Sequence, residues 1–190
     1  MHPRCVDMAV LVVLVVLQED SVMDKSQLRK YVRSQRPRET AASGVWAKVE
    51  ALEEFRNAST VLAFWSLPDE IDTHEIVVKW ASAKRMVLPK VVGESLVLRA
   101  YEPLAMAPGA YGILEPTDEA PEVDPSEIDL AIIPGVAFDV HGHRLGRGKG
   151  YYDRLMPGLS CPKLGVALPY QIVDEVPVED HDIPVDKIIY

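Results

Sequence analysis

Cysteine is scarce: the 190 residues hold two, Cys5 and Cys161, with no CxxC pair and no HxxxH companion. That excludes a disulfide scaffold and a structural zinc site, and it fits a reducing, cytoplasmic compartment. A basic excess is also missing. Twenty Lys and Arg face 29 Asp and Glu, a formal net charge of −9, whereas a duplex-binding protein needs a broad basic face. Nucleic acid is therefore not expected as the main partner. Nor does an apolar run reach the roughly 20 residues that span a bilayer. MAVLVVLVVL, Met8 to Leu17, follows Arg4 and precedes Gln-Glu-Asp. It has the length of a signal-peptide core but no A-x-A-like cleavage site after it. A β-branched strand and a disordered extension also fit. The reading preferred here is that the natural protein starts at Met23, where MDKSQLRKYVR opens the domain, with residues 1–22 an apolar extension and no expected membrane partner. Finally, no Ser-His-Asp or Cys-His arrangement is present.

What is present suffices for one good core: 48% of the residues are hydrophobic, and a second domain is not expected. Leu28, Tyr31 and Val32 recur at helical spacing between Asp24 and Gln35, and Thr40 to Ala58 reads as a second helix around Val45, Val49, Leu52 and Phe55. TVLAFWSL, Thr60 to Leu67, reads as a strand buried on both faces. A turn follows, then a helix with Ile76, Val77 and Trp80, then strands at MVLPKVV and LVLRAY. Glu102 to Pro125 reads as loops with one short strand. DLAIIPGVAFD, Asp129 to Asp139, is another buried strand. GYYDRLM starts a helix that Pro157 and Gly158 end, KLGVALP is a further strand, and the chain closes on an edge strand. Strands alternating with helices predict a single-domain α/β fold, a mainly parallel sheet flanked by helices in three layers (α/β/α).

The segment HGHRLGRGKGYYDR, His141 to Arg154, stands out from the acidic background. Gly146, Gly148 and Gly150 alternate with Arg147 and Lys149 and follow Arg144. Glycines admit a ligand close to the backbone, and the cations favour a compact anion such as phosphate. It is not a P-loop, because Gly150 follows Lys149 where Ser or Thr is required, and it is not the dinucleotide G-x-G-x-x-G. A helix start at Tyr151 to Asp153 would add N–H donors, and Asp153 is placed to hold magnesium between phosphate oxygens. A flexible turn with solvated cations is the plain alternative. Three glycines, three cations, two aromatics and an acid together count against it. His141 and His143 flank Gly142 in a turn and are expected to be exposed, and His74 is expected to be structural.

IIPGVAFDVHGHRLGRGKGYYDR resembles the signature of the 5-formyltetrahydrofolate cyclo-ligases, also called 5,10-methenyltetrahydrofolate synthetases. KSQLR, PDEIDT and HDIPVD agree in content and order, so the resemblance runs from about Asp24 to Tyr190 and leaves the first 22 residues unmatched. It implies an ATP- and Mg2+-dependent conversion of 5-formyltetrahydrofolate to 5,10-methenyltetrahydrofolate in one-carbon metabolism. It also implies that Lys25, Ser26, Gln27, Leu28 and Arg29 bind ATP together with Arg144, Leu145, Gly146, Arg147, Gly148, Lys149, Gly150, Tyr151 and Tyr152. The folate would meet Arg29, Trp65, Glu70, Arg147, Gly148, Lys149, Gly150 and Tyr151. Arg147, Lys149 and Tyr151 would carry the chemistry, and Asp153 and Asp182 would hold magnesium, with Asp186 nearby.

Taken without the resemblance, several of these residues read otherwise. Lys25 and Arg29 fit a solvated helix face, Glu70 a surface acid, Trp65 plain core, Tyr152 packing, and Asp182 one acid among many. A monomer is expected. Two other readings stay open: a same-fold ATP-dependent paralogue with another formylated or carboxylated substrate, and a nucleotide-binding protein without turnover.

Overall fold

Asp24 starts the first described helix by taking the Gln27 N–H at 2.8 Å while Gln27 Oε1 takes the Asp24 N–H at 2.9 Å. This reciprocal cap satisfies two donors that the helix cannot use itself. The fold comes from a computed structural model that describes residues 23–37 and 43–190. Residues 1–22, and with them the question of the apolar extension, lie outside the described residues, as do 38–42. Helix α1 (Lys25–Ser34) buries Leu28 and Val32. The single helix expected over 40–58 is instead two, α2 (Ser43–Ala51) and α3 (Glu53–Asn57). Leu52 between them is extended, with ψ 141°. No glycine or proline forces this break. It lets Phe55 pack on Trp80, ring centroids 4.5 Å apart.

The remaining elements are β1 (Thr60–Leu62), α4 (His74–Trp80), β2 (Arg85–Val92), β3 (Ser95–Ala100), β4 (Met106–Pro108), β5 (Leu114–Pro116), β6 (Leu130–Ile133), β7 (Ala137–Phe138), β8 (Arg144–Leu145), α5 (Tyr151–Leu155), β9 (Lys163–Val166) and β10 (Lys187–Ile189). The main sheet runs β10-β9-β6-β1-β2-β3, parallel except for the β2–β3 hairpin. In β6, Leu130 and Ile132 join a core with α2, α3 and α4, while Ala131 and Ile133 join a second core with Leu155, Met156 and Val123. That alternation is what a strand buried on both faces requires, and it makes the three layers. Helix α1 adds a smaller core of Leu28 and Val32 against Val136, Ala137 and Leu145. Among the described residues no helix is long and apolar enough to cross a membrane.

Three expectations are corrected. The eight-residue strand at Thr60 stops after Leu62. From there a polar knot replaces the ladder: Ser66 N–H donates to Thr73 Oγ1 at 3.0 Å, Thr73 N–H to Ser66 Oγ at 3.1 Å, and the Thr73 hydroxyl to Phe64 O at 2.6 Å. The region 102–125 holds two short strands rather than one, paired as a β4–β5 hairpin. And His143 is not exposed like its neighbour His141. Its Nδ1 lies 2.9 Å from Oδ2 of Asp139, which is fully buried.

Asp139 also accepts the N–H groups of His141 (2.9 Å), His143 (3.1 Å) and Val176 (3.0 Å). It thereby ties the β7–β8 turn to the loop before the last strand. Burial by itself would raise this carboxyl, but the donors from Val176, His143 and His141 outweigh it and hold it below the usual carboxylate range. A depressed native pKa gives stability that is complete above the unfolded value near 4 and is lost as pH falls through the native one. Replacing Asp139 by Ala should cost about 3 kcal/mol, because several buried donors lose their acceptor. Urea unfolding at neutral pH measures this, and Asp139→Asn should flatten the acid limb of the stability curve.

Candidate active site

Because β1 ends early, the loop after it can carry Trp65, Asp69 and Glu70 toward the carboxyl ends of the parallel strands, where ligands of open α/β sheets sit. A cleft of about 430 Å³ opens there, with Phe64, Pro89, Val91, Leu96 and Ile113 as apolar walls and Glu70, Arg144, Arg147 and Asp153 as polar ones. Trp65 lines it and is stacked between His74 (centroids 4.4 Å) and Tyr101 (6.0 Å). His74 also bonds through Nε2 to Ser66 O at 3.1 Å, so it supports the wall rather than the chemistry. Trp65 is half-buried and borders the space directly, which core packing alone does not require.

The glycine loop leaves β8 and enters α5. Gly148 has φ +93° and Gly150 φ +66°, conformations that strain any residue with a Cβ. A Cβ at Gly148 would meet the Arg29 guanidinium at ordinary contact distance, 3.5 Å, so the backbone conformation and not crowding calls for glycine there. Among the described residues, none of the backbone N–H groups from Arg147 to Asp153 has a hydrogen-bond partner. Such a run of free donors next to cations is what a phosphate chain needs. The Lys149 side chain is exposed and makes no ion pair among the described residues. Tyr151 borders the cleft, and its hydroxyl is pushed up, first by a hydrogen bond to Tyr111 and then by burial. Burial and the nearby Glu70 charge drive the Tyr152 hydroxyl far above its ordinary value, so it stays protonated.

Helix α1 docks against this loop. Arg29 Nε donates to Gly146 O at 2.8 Å, and Lys25 Nζ meets Asp182 at 2.5 Å and Glu179 at 3.0 Å. Helical spacing therefore turns Lys25 and Arg29 inward rather than into solvent. Ser26 is exposed, Gln27 is engaged in the cap, and Leu28 and Leu145 point into the small core, so the last two could meet a ligand only through their backbone. Arg144 is buried, pairs with Asp153 at 2.5 Å and, among the described residues, leaves its Nε without a partner. Asp153 lines the cleft, whereas Asp182 sits outside its lining beside Lys25. Asp186 is farther round, at the Lys163 N–H.

Among the described residues, Oδ2 of Asp153 accepts no hydrogen bond and Oδ1 of Asp182 has only His181 Nε2 at 3.9 Å. Each carboxylate thus keeps one oxygen open, which suits magnesium, an ion that takes one or two carboxylates together with phosphate oxygens.

Two residues at the site escaped the sequence reading, one in the cleft wall and one beside it. Glu115, on β5, is buried in the cleft wall, and burial pushes its carboxyl up although the N–H groups of Ala110 and Val91 hold it partly down. It lay in a segment read as loop, with no periodicity to single it out. Asp69 hydrogen-bonds the Arg147 guanidinium, whose Nε also donates to Glu70 at 2.9 Å. Its place beside Glu70 in PDEIDT was the available signal. These carboxylates outweigh the desolvation of Arg147 and hold its pKa above the ordinary value.

The chain has clear relatives. The sequence profile of the 5-formyltetrahydrofolate cyclo-ligase family matches residues 22–190. A mouse protein named 5-formyltetrahydrofolate cyclo-ligase is 29% identical over 185 residues, covering 87% of this chain and 89% of its own. An Escherichia coli K12 protein of the same name is 35% identical over 141 residues, 70% of this chain and 78% of its own. The NMR structure of Aquifex aeolicus 5,10-methenyltetrahydrofolate synthetase superposes with a TM-score of 0.79 at 36% identity, over 88% of this chain and 89% of that one. With the fold, the glycine loop and the flanking motifs in agreement along nearly all of the described chain, the protein belongs to the 5-formyltetrahydrofolate cyclo-ligase family.

Proposed function

We propose that this protein converts 5-formyltetrahydrofolate to 5,10-methenyltetrahydrofolate, consuming ATP and releasing ADP and phosphate. The observation that carries the reading is the row of free N–H donors from Arg147 to Asp153, which borders a mainly apolar cleft large enough for a heterocycle. One side suits a phosphate chain and the other a flat ring. Their junction at Arg147 and Lys149 is where phosphoryl transfer between two bound ligands would take place.

The chemistry explains why both ligands are needed. The formyl carbonyl is stabilised by amide resonance, and its oxygen is a poor leaving group as hydroxide. Attack of that oxygen on the γ-phosphorus breaks the bond to ADP and leaves a phosphorylated imidate on the folate. N10 then attacks the formyl carbon and loses its proton, the carbon–oxygen bond breaks, and phosphate leaves. No protein nucleophile is required, so the chain's tasks are alignment and charge neutralisation. Arg147 and Lys149 would meet the charge on the transferring group, Lys25 and Arg29 the rest of the phosphate chain, and Trp65, Glu70 and Tyr151 the pterin. Asp153 and Asp182 would hold magnesium, which supplies further neutralisation of phosphate charge. The scarcity of cysteine supports a reducing, cytoplasmic setting, the acidic balance supports work without nucleic acid, and a monomer is proposed with them.

The direct test mixes the protein with 5-formyltetrahydrofolate, ATP and magnesium and follows the ultraviolet band of the methenyl product. Growth that depends on ATP and magnesium is expected. ATP binding with no band would move the substrate to another formylated or carboxylated compound. In the same assay Lys149→Ala should lose on the order of a hundredfold in turnover. Its melting temperature should barely move, because the side chain is exposed. Equal losses in rate and stability would refute that role. Trp65→Ala should raise the KM for the folate about tenfold through lost stacking and burial, with the KM for ATP unchanged.

A further inference from the structure

Arg147 is held at two of its three nitrogens. Nε donates to Glu70 Oε1 at 2.9 Å, and Nη2 donates to Asp69 Oδ1. Nη1 has no hydrogen-bond partner among the described residues. The guanidinium is a rigid planar fork, so fixing two nitrogens fixes the direction in which the third can donate. Arg147 also stands between two spaces. Glu70 lies in the wall of the large cleft, while Asp69 lies with Arg33, Arg36 and Tyr170 in the wall of a smaller one of about 180 Å³. Glu70 is itself locked, since its other oxygen takes the Leu67 N–H at 2.9 Å. Asp69 is the second point of the clamp.

We propose that Asp69 is a positioning residue for the reaction, holding Nη2 of Arg147 so that, with Glu70 on Nε, the free Nη1 is presented to the transferring phosphoryl group. The proposal rests on the cyclo-ligase function argued above. The pair is poorly suited to a role in stability alone. The side chains of Asp69 and Arg147 are 35% and 30% exposed, and ion pairs this open contribute little to folding. Two carboxylates on one cation also reduce its pull on an incoming anion. The arrangement thus gives up some attraction for ATP in return for direction. That combination gives the test its sign.

Asp69→Ala should lower kcat on the order of tenfold to a hundredfold, the usual consequence of a displaced catalytic group, while the KM for ATP stays level or falls. Asp69→Asn keeps an oxygen on Nη2 and should recover most of the rate, with melting temperatures for both variants within a few degrees of wild type. In an Arg147→Ala background, adding Asp69→Ala should cost less than about twofold more, because coupled residues are not additive. Independent losses in the double variant, or a rate that Asn does not restore while the fold is intact, would overturn the assignment and leave the proposed function standing. Wild-type protein that forms no product from 5-formyltetrahydrofolate overturns both.

Discussion

The free backbone donors from Arg147 to Asp153 are the constraint on which the rest of the site depends. A loop in which seven consecutive N–H groups find no partner among the described residues gains little hydrogen-bond energy of its own, and unpaired donors are costly wherever water is kept away. It must be held in shape from outside. Three contacts do so. Arg29 on α1 donates to Gly146 O, the buried Arg144 pairs with Asp153, and Arg154 donates to Lys149 O at 2.9 Å. Below them Asp139 fixes the β7–β8 turn from which the loop departs. The loop is thus ordered by its surroundings and left open toward the cleft.

Charge is arranged in the same spirit. The cations that face the ligand side are each given a carboxylate partner: Lys25 has Asp182 and Glu179, Arg144 has Asp153, and Arg147 has Asp69 and Glu70. Lys149 and Arg29 are the exceptions: Lys149 is exposed at the centre of the loop, and Arg29, with no ion pair among the described residues, donates to Gly146 O instead. A chain of net charge −9 can therefore keep several cations beside the cleft, their charge balanced locally, without a basic surface. The field is local, and it is strongest where water is excluded. An anion entering this site meets donors already in place, so little reorganisation is left for the reaction itself.

Much of this was legible in the residues. The 3.6-residue spacing of Leu28 and Val32, the apolar runs at β2 and β3, and the punctuation by Pro157 and Gly158 placed those elements within a residue or two. The run Asp129 to Asp139, by contrast, divides into β6 and β7 of different sheets, and the strand read at KLGVALP ends at Val166. The glycine loop announced itself because small residues and cations in alternation have few other uses. Where the reading failed, the deciding forces were distant in sequence. Leu52 breaks a helix without a breaker because Phe55 must reach Trp80. The strand at Thr60 stops because Ser66 and Thr73 bond to each other. His143 is drawn inward by Asp139, and Glu115 becomes a cleft residue only when β5 pairs with β4 and folds over β2.

By itself, then, the sequence determined the layer architecture, the position of the glycine loop and the family, since periodicity, composition and local motif are properties of neighbouring residues. Only the tertiary structure decided which side of each residue is used. It turned Lys25 and Arg29 inward, sent Leu28 and Leu145 into the core, put Asp153 in the cleft wall with Asp182 outside it, and brought Asp69 and Glu70 onto Arg147 across nearly 80 positions of chain. Such pairings depend on how strands and loops meet in space, and no local pattern encodes them.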